Sequence, residues 1–418
     1  MKTLIFTLPI FILMNVYSQS WVIQSSGTTA NINDIFFLNA NTGYAACNGG
    51  TILKTTDGGN NWLSISGPYT YNLTSIRFFD QNTGLVAGSG FSDSVLKSTN
   101  GGLNWIKVFN NGLSHFTIAD NNTLYATQAF RVFKTTNRGD NWTQTGNIPP
   151  FTTTALFFIN ALTGWVTTIQ PTPTPPFPQH TWVFIAKTMN GGSSWTTLYS
   201  EYAEIAYSNR MLDVFFPSLD TGFIIGKNGA TIYRTFNSGN NWSETIVAGT
   251  LSDLSFISAK TGWACASGGY IFKTINSGDN WYNTTTPTSN YLSTIYFVNA
   301  LTGWAAGGNG IIIKTTNGGF TFIQPISNEI PIQFSLSQNY PNPFNPTTNI
   351  QFSIINVQYV TLKIFDLLGR EVATLVNEQL QPGTYEVDFD GSGFASGVYY
   401  YKLTASDYTE TKKMILMK

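Results

Sequence analysis

Charge is scarce in this sequence. Asp, Glu, Lys and Arg make up 10% of its 418 residues, against roughly 25% in an average soluble domain. They nearly cancel, at a formal net charge of −1. Nucleic acids and anionic membrane surfaces demand a concentrated Lys/Arg field, so neither is expected as a partner. Histidine occurs only as His115 and His180. That argues against a His-rich metal site and a Ser-His-Asp triad. No Walker loop or dinucleotide fingerprint stands between a strand and a helix, so no cofactor and no metal is assigned. Cysteine is also rare, with only Cys47 and Cys265. They fall in distant repeats and one position out of register, so they are expected on opposite strand faces and are read as small buried hydrophobes, not a disulfide. After the first twenty residues no stretch reaches 18 apolar residues, and no transmembrane helix is expected.

What is present points to strands and export. Apolar residues make up 42% and aromatics 15%, so a packed core is affordable. The polar remainder is mainly Asn, Thr, Ser and Gly, which favour turns and strands over helix interiors. Met1-Lys2, the apolar run Leu4–Met14 and Val16-Tyr17-Ser18 have the layout of a secretory signal peptide over 1–18, with cleavage before Gln19.

One motif then recurs seven times, as Thr/Ser-x-Asp/Asn-x-Gly-x-x-Trp. Its members are Asp57-Gly59-Trp62, Asn100-Gly102-Trp105, Asn137-Gly139-Trp142, Asn190-Gly192-Trp195, Asn237-Gly239-Trp242, Asn276-Gly278-Trp281 and Asn317-Gly319, the last ending on Phe322. The spacing averages about 43 residues, the length of a four-stranded propeller blade. The fifth unit reads as strands over Leu212–Phe216, Phe223–Gly226, Thr231–Thr235 and Trp242–Val247. A Thr-Gly turn separates the first two strands in six units, while the third unit has Asn121-Asn122. In the motif, the Asp or Asn is expected to accept backbone N–H groups two or three residues on, and the Gly to supply positive φ. The aromatic is expected to open the last strand and pack beside the next blade. Because the seventh copy lacks Trp and Trp21 stands alone, Trp21-Val22-Ile23-Gln24 is expected to close the ring. The alternative is that Phe322–Ile326 completes the last blade.

These boxes resemble the Asp-box, or sialidase-type (BNR) repeat. The unit as a whole, spelled K-T-T-D-G-G-N-N-W at Lys54–Trp62, resembles the seven-bladed propellers of the photosystem II stability and assembly factor family. The resemblance implies an all-β, seven-bladed propeller over 19–326, with the boxes as structural turns at the blade periphery. Sialidase chemistry is not expected, because Arg77, Arg131, Arg138, Arg210 and Arg234 lack that family's arginine context.

After Ile326 the period stops. Short strands at Ile350–Ile354, Val360–Asp366, Thr384–Phe389, Gly397–Thr404 and Thr411–Met417, divided by glycines, read as a small Ig-like β-sandwich over 327–418. Its spelling resembles the type A C-terminal sorting domain of the type IX secretion system: N-Y-P-N-P-F-N-P-T-T from Asn339, L-K-I-F-D-L-L-G-R-E-V from Leu362 and a K-K-M-I-L-M-K end. That resemblance covers residues 331–418. It implies a Bacteroidetes-like bacterium, Sec export, and the secretion machinery as a partner of the tail. It further implies a final location outside the cell or on the outer surface of the outer membrane, with possible lipopolysaccharide anchoring after tail removal.

The expected role is a secreted or surface binding and scaffolding module for a protein or glycan; the alternative is a glycoside hydrolase. Two long insertions in the fourth unit, Gln170–His180 and Tyr199–Arg210, fall on the face of the blade-to-blade links. They offer Phe177, His180, Trp182, Tyr199, Tyr202, Tyr207 and Arg210 as ligand-binding candidates, with Glu201, Glu204 and Asp213 as weak catalytic candidates. Asp34, Asp213 and Asp253 hold one repeat position at the start of the innermost strand, on the same face. They are candidates for a cation or hydroxylated ligand, or for latching neighbouring blades.

Overall fold

The computed structural model describes all residues except 1–20, 67–69, 89–93, 111, 147, 149–151, 171–180, 204–210, 227–228, 248, 285, 320–323, 328–330, 381 and 392–393. The expected signal peptide lies outside the described residues. Two compact units form, Ser20–Phe320 and Thr321–Lys418.

The first unit is a propeller of seven four-stranded antiparallel blades. Blade 1 shows the pattern: Ile32–Phe37 lines the centre, followed outward by Gly43–Cys47, Thr51–Thr55 and Leu63–Ser66. The second strand of each blade is sandwiched between neighbours, and Gly43–Cys47 is buried at every position. Blade 7 is completed by the N-terminal strand: Val22–Gln24 pairs with Ile312–Lys314. Ring closure therefore uses the first of the two expected routes.

Aromatic rings fill the seams. The inner strand of blade 1 ends on Phe37, and Trp304 of blade 7 stacks on it at 3.5 Å. Five further seams repeat this stack: Tyr44–Phe78, Tyr125–Phe158, Trp165–Phe216, Phe223–Phe256 and Trp263–Phe297. The Thr-Gly turn follows from the same ring. A Cβ on Gly43 would sit 2.4 Å from Phe37, so only glycine fits beneath the phenyl group. Blade 3 explains its own exception. Its inner strand ends on Ile118, opposite Leu124, so an Ile–Leu pair replaces the Phe–Gly pair.

The box turn differs in detail from expectation. Asp57 Oδ1 accepts the N–H of Asn61, four residues on, while Thr55 Oγ1 accepts the N–H of Gly59. Asn makes the same bond elsewhere, as from Asn141 N–H to Asn137 Oδ1. The first residue of the motif thus shares the work, because the turn is wider than an Asx turn. The box tryptophan meets its own blade edge-on, Trp62 on Phe37 at 5.9 Å, and packs on the preceding blade, not the next. Trp21 makes the equivalent contact with Phe297, also at 5.9 Å, and so replaces the missing box tryptophan of blade 7.

The basic residue before the box is a second clamp between blades at Lys54, Lys97 and Arg234. Lys54 Nζ donates to the carbonyl of Gly101 at 2.6 Å, and Lys97 pairs with Asp140 at 2.5 Å. Both cysteines are buried and unbridged.

The second unit contains two four-stranded sheets. One joins Gln324–Ser327, Gly383–Asp390, Thr347–Ile354 and Ser335–Leu336; the other joins Glu371–Leu380, Gln358–Phe365, Gly397–Ala405 and Tyr408–Leu416. Alternation drives it: Val360, Leu362 and Ile364 are fully buried while the residues between them are less so. Two differences from the sequence reading stand out. Glu371–Leu380 is a strand, paired along Gln358–Phe365, although its polar residues hid the alternation. Gln324–Ser327, expected to fall mostly in the propeller, pairs with Thr384–Glu386 in this unit because the N-terminal strand already occupies the last edge of blade 7. Among the described residues no helix is long and apolar enough to cross a membrane.

Candidate functional site

The propeller's innermost strands enclose a cavity of about 430 Å³, joined at its link-face mouth by a polar cavity of about 250 Å³. Sequence controls its lining through a bulge. In blades 1, 2, 6 and 7 the inner strand slips register near its start, as between Ile32 and Asp34. A bulge re-aims side chains, and consecutive residues such as Asn33 and Asp34 both reach the cavity. Three layers result. The mouth carries Asn33, Thr74, Ser114, Ser252 and Ser293. Below it lie Asp34, Ser75, His115, Asp213, Asp253 and Thr294. The far end carries Phe36, Arg77, Thr117, Phe157, Phe215 and Tyr296.

The middle layer latches five of the seven seams between blades. Asp34 Oδ2 accepts the N–H of Ile76 at 2.8 Å, the hydroxyl of Ser75 at 3.2 Å and Arg77 Nη1 at 2.5 Å. Ser75 Oγ accepts the N–H of Phe116, Asp253 Oδ2 that of Ile295, and Thr294 Oγ1 that of Ile35, which closes the circle. The three aspartates therefore converge as expected from their shared repeat position, and they do latch blades.

Asp213 and Asp253 do more than that. The N–H of Leu254 points to both, at 3.0 Å from Asp213 Oδ2 and 2.9 Å from Asp253 Oδ1. Two carboxyls so close cannot both be ionised without strong repulsion. Burial pushes Asp213 up from the usual carboxylate range; burial and then the charge of Asp213 push Asp253 well up. Asp34 is also pushed up by burial, with Arg77 pulling the other way. His115 is held neutral, down at about 4, by burial, and its Nδ1 lies 2.9 Å from Thr127 Oγ1.

Of the other candidates, Trp182, Tyr199 and Glu201 lie apart from this cavity's lining. Blade 4 has the longer strands Gly164–Gln170, Thr181–Thr188 and Thr196–Ala203, and the bases of both insertions pair, Trp182 with Gln170 and with Tyr202. Trp182 is exposed there. Glu201 accepts the hydroxyl of Tyr199 at 3.0 Å and that of Tyr233 at 3.4 Å, which spends its carboxylate on a local bridge. Phe177, His180, Glu204, Tyr207 and Arg210 lie outside the described residues, as does the side chain of Tyr202. Sequence reading missed Arg77, Ser75, His115 and Thr294. The signal was available: each occupies the repeat column of Asp34 or, for Arg77, of Phe36.

Comparisons follow the same division. Residues 338–417 match the family described as Secretion system C-terminal sorting domain, and residues 13–149 match Photosynthesis system II assembly factor YCF48. The fold resembles YCF48 solved bound to D1 peptide, at 18% identity and a TM-score of 0.55, covering 71% of this chain and 97% of that one. It also resembles YCF48 from Cyanidioschyzon merolae, at 18% identity and a TM-score of 0.52, covering 71% and 98%. PorZ, an essential surface component of the type-IX secretion system of Porphyromonas gingivalis, shares 13% identity at a TM-score of 0.51. That match covers 92% of this chain and 60% of PorZ. No curated protein matches the sequence.

Proposed function

We propose that this chain, a YCF48-like propeller followed by a secretion sorting domain, is a secreted binding and scaffolding module that holds part of a protein or glycan partner at its link-face channel mouth. One observation carries the reading. A chain with 10% charged residues gathers Asp34, Arg77, His115, Asp213 and Asp253 around one cavity beneath a ring of hydroxyls. A concave site with a few convergent polar groups over an aromatic floor is what ligand recognition requires.

Related propellers lend support. One solved YCF48 is bound to a peptide, and PorZ is a surface component. The sorting domain fits export by Sec and then the type IX machinery, with the propeller displayed outside the cell and anchoring to lipopolysaccharide after tail removal. Photosystem assembly does not suit an exported copy. Asp213 and Asp253 do not themselves form a glycosidase pair. Such enzymes hold their two carboxyls about 5 Å or more apart, whereas Asp213 and Asp253 meet at one N–H.

The test uses the full chain, purified from the native host's surface and culture fractions. It is applied to a panel of polysaccharides and, in parallel, cross-linked on intact cells. Retention without released sugar, or a specific cross-linked surface protein, supports the module. Released sugar would make it an enzyme. Failure of both arms would remove the binding role.

A further inference from the structure

We infer that the propeller pairs with a second copy of this chain through its box face, about a two-fold axis that lies in the plane of that face between blades 5 and 6. This goes beyond the binding reading, which concerns the opposite, link face.

The geometry starts from one repeat position. In every blade, the residue before the threonine of the first turn gives its carbonyl to a box N–H of the same blade, at 2.7 to 3.0 Å. That bond sets one such side chain at the same height in each blade, on the face shared by the turns and the boxes. Blades 1 to 3 carry Asn41, Asn82 and Asn122 there. Blades 4 to 7 carry Leu162, Asp220, Lys260 and Leu301. Asp220 and Lys260 are exposed, Leu162 is 60% exposed, and Leu301 is half-buried.

This order is self-complementary. A two-fold rotation about the named axis lays blade 5 of one copy on blade 6 of the other, and blade 4 on blade 7. Asp220 then faces Lys260 of the second copy, Leu162 faces Leu301, and asparagine faces asparagine. Each unlike pair recurs by symmetry, as an isologous interface requires. A ring of seven blades has seven such axes. The axis through blade 5 would set Asp220 on Asp220, and the axis through blade 6 would set Lys260 on Lys260. The other four leave both charges facing uncharged side chains. Only the axis between blades 5 and 6 opposes unlike charges. A foreign partner would not require a face that complements itself.

A second repeat position agrees. The residue after the first threonine or serine of the box is an exposed threonine in blades 1, 2, 3 and 7: Thr56, Thr99, Thr136 and Thr316. In blades 4 to 6 it is Met189, Phe236 and Ile275. Met189 is 72% exposed and Phe236 55%. Apolar side chains thus replace threonine on three consecutive blades at the axis, and the rotation lays Phe236 on Ile275 of the second copy. Clustered apolar exposure marks an interaction surface, and unlike charges fix its register. The pairing leaves both link-face mouths pointing outward, so the dimer presents two of them.

The experiment is sedimentation equilibrium on the full chain. The wild type is expected to dimerise. Asp220→Lys and Lys260→Asp each put like charges together in both symmetry-related contacts, and each alone is expected to weaken self-association by about tenfold or more. Mixed in equal amounts, the two variants regain both unlike pairs, and a heterodimer as strong as the wild-type dimer is expected. Both positions are exposed turn residues, and thermal melts check that the variants fold. A wild type that stays monomeric at its highest soluble concentration, single variants that dimerise like wild type, or a mixture that stays monomeric would each overturn the pairing. None of these outcomes bears on ligand capture at the link face, so the two readings fail separately.

Discussion

Asp213 and Asp253 share one backbone donor, the N–H of Leu254, although they belong to adjacent blades. Both carboxyls are pushed up from the ordinary range, chiefly by burial. A carboxyl whose value is raised on folding stabilises the fold below its unfolded value, near 3.9, and that contribution fades as pH rises through the raised value.

Asp213→Asn removes one of the two carboxyls that crowd this N–H. Its melting temperature is expected to exceed that of wild type at pH 8, with the gap closing as pH falls toward 4. A gap that widens on acidification would contradict the raised carboxyls. Thermal melts at four pH values across this range decide it.

Arg77 is the counter-ion of Asp34, whose carboxylate is almost wholly buried. Arg77→Met leaves that charge unpaired, and stability is expected to fall by about 3 kcal/mol, as when one partner of a buried pair is removed. Asp34→Asn combined with Arg77→Met should recover much of the loss. Urea unfolding curves of the three variants measure both effects.

Trp21 is completely buried against Phe297 and Gly319. Trp21→Ala is expected to cost about 3–5 kcal/mol, similar to Trp242→Ala, which removes a box tryptophan at an interior seam. Because Trp21 belongs to the closing strand, its variant should also open the ring to proteolysis, and Trp242→Ala should not. Limited proteolysis of the two variants at matched stability tells a latch from a simple core residue.

Gly43 lies under the ring of Phe37. Gly43→Ala is expected to destabilise by about 1–3 kcal/mol through overpacking. Blade 3 shows the remedy, an Ile–Leu pair at the same two positions. Phe37→Ile with Gly43→Ala should therefore be less damaging than the sum of the single changes. A double-mutant cycle gives the coupling; strict additivity would show that the ring does not set the glycine.

Much of this could be read from particular residues. The all-β class and seven blades followed from the spacing of Trp62, Trp105 and their successors, and the sandwich tail from its own alternating strands such as Val360–Asp366. Trp21 announced the closing strand because the seventh box had no tryptophan of its own. The absence of a Thr-Gly turn at Asn121-Asn122 was visible, but its cause was not, since Ile118 and Leu124 mean little until they face each other. The tail strand Glu371–Leu380 escaped notice because its partner, Gln358–Phe365, supplies the order that its own sequence obscures.

The division has a physical reason. Within a blade, strand alternation, glycine turns and box hydrogen bonds act between neighbours in sequence, so the chain alone determined the blade count and the ring closure. The channel is different. Asp213 and Asp253 are forty residues apart, and Asp34 is farther from either. Only the curvature of seven packed blades brings their carboxyls to one cavity, and only burial there raises them above the ordinary carboxylate range.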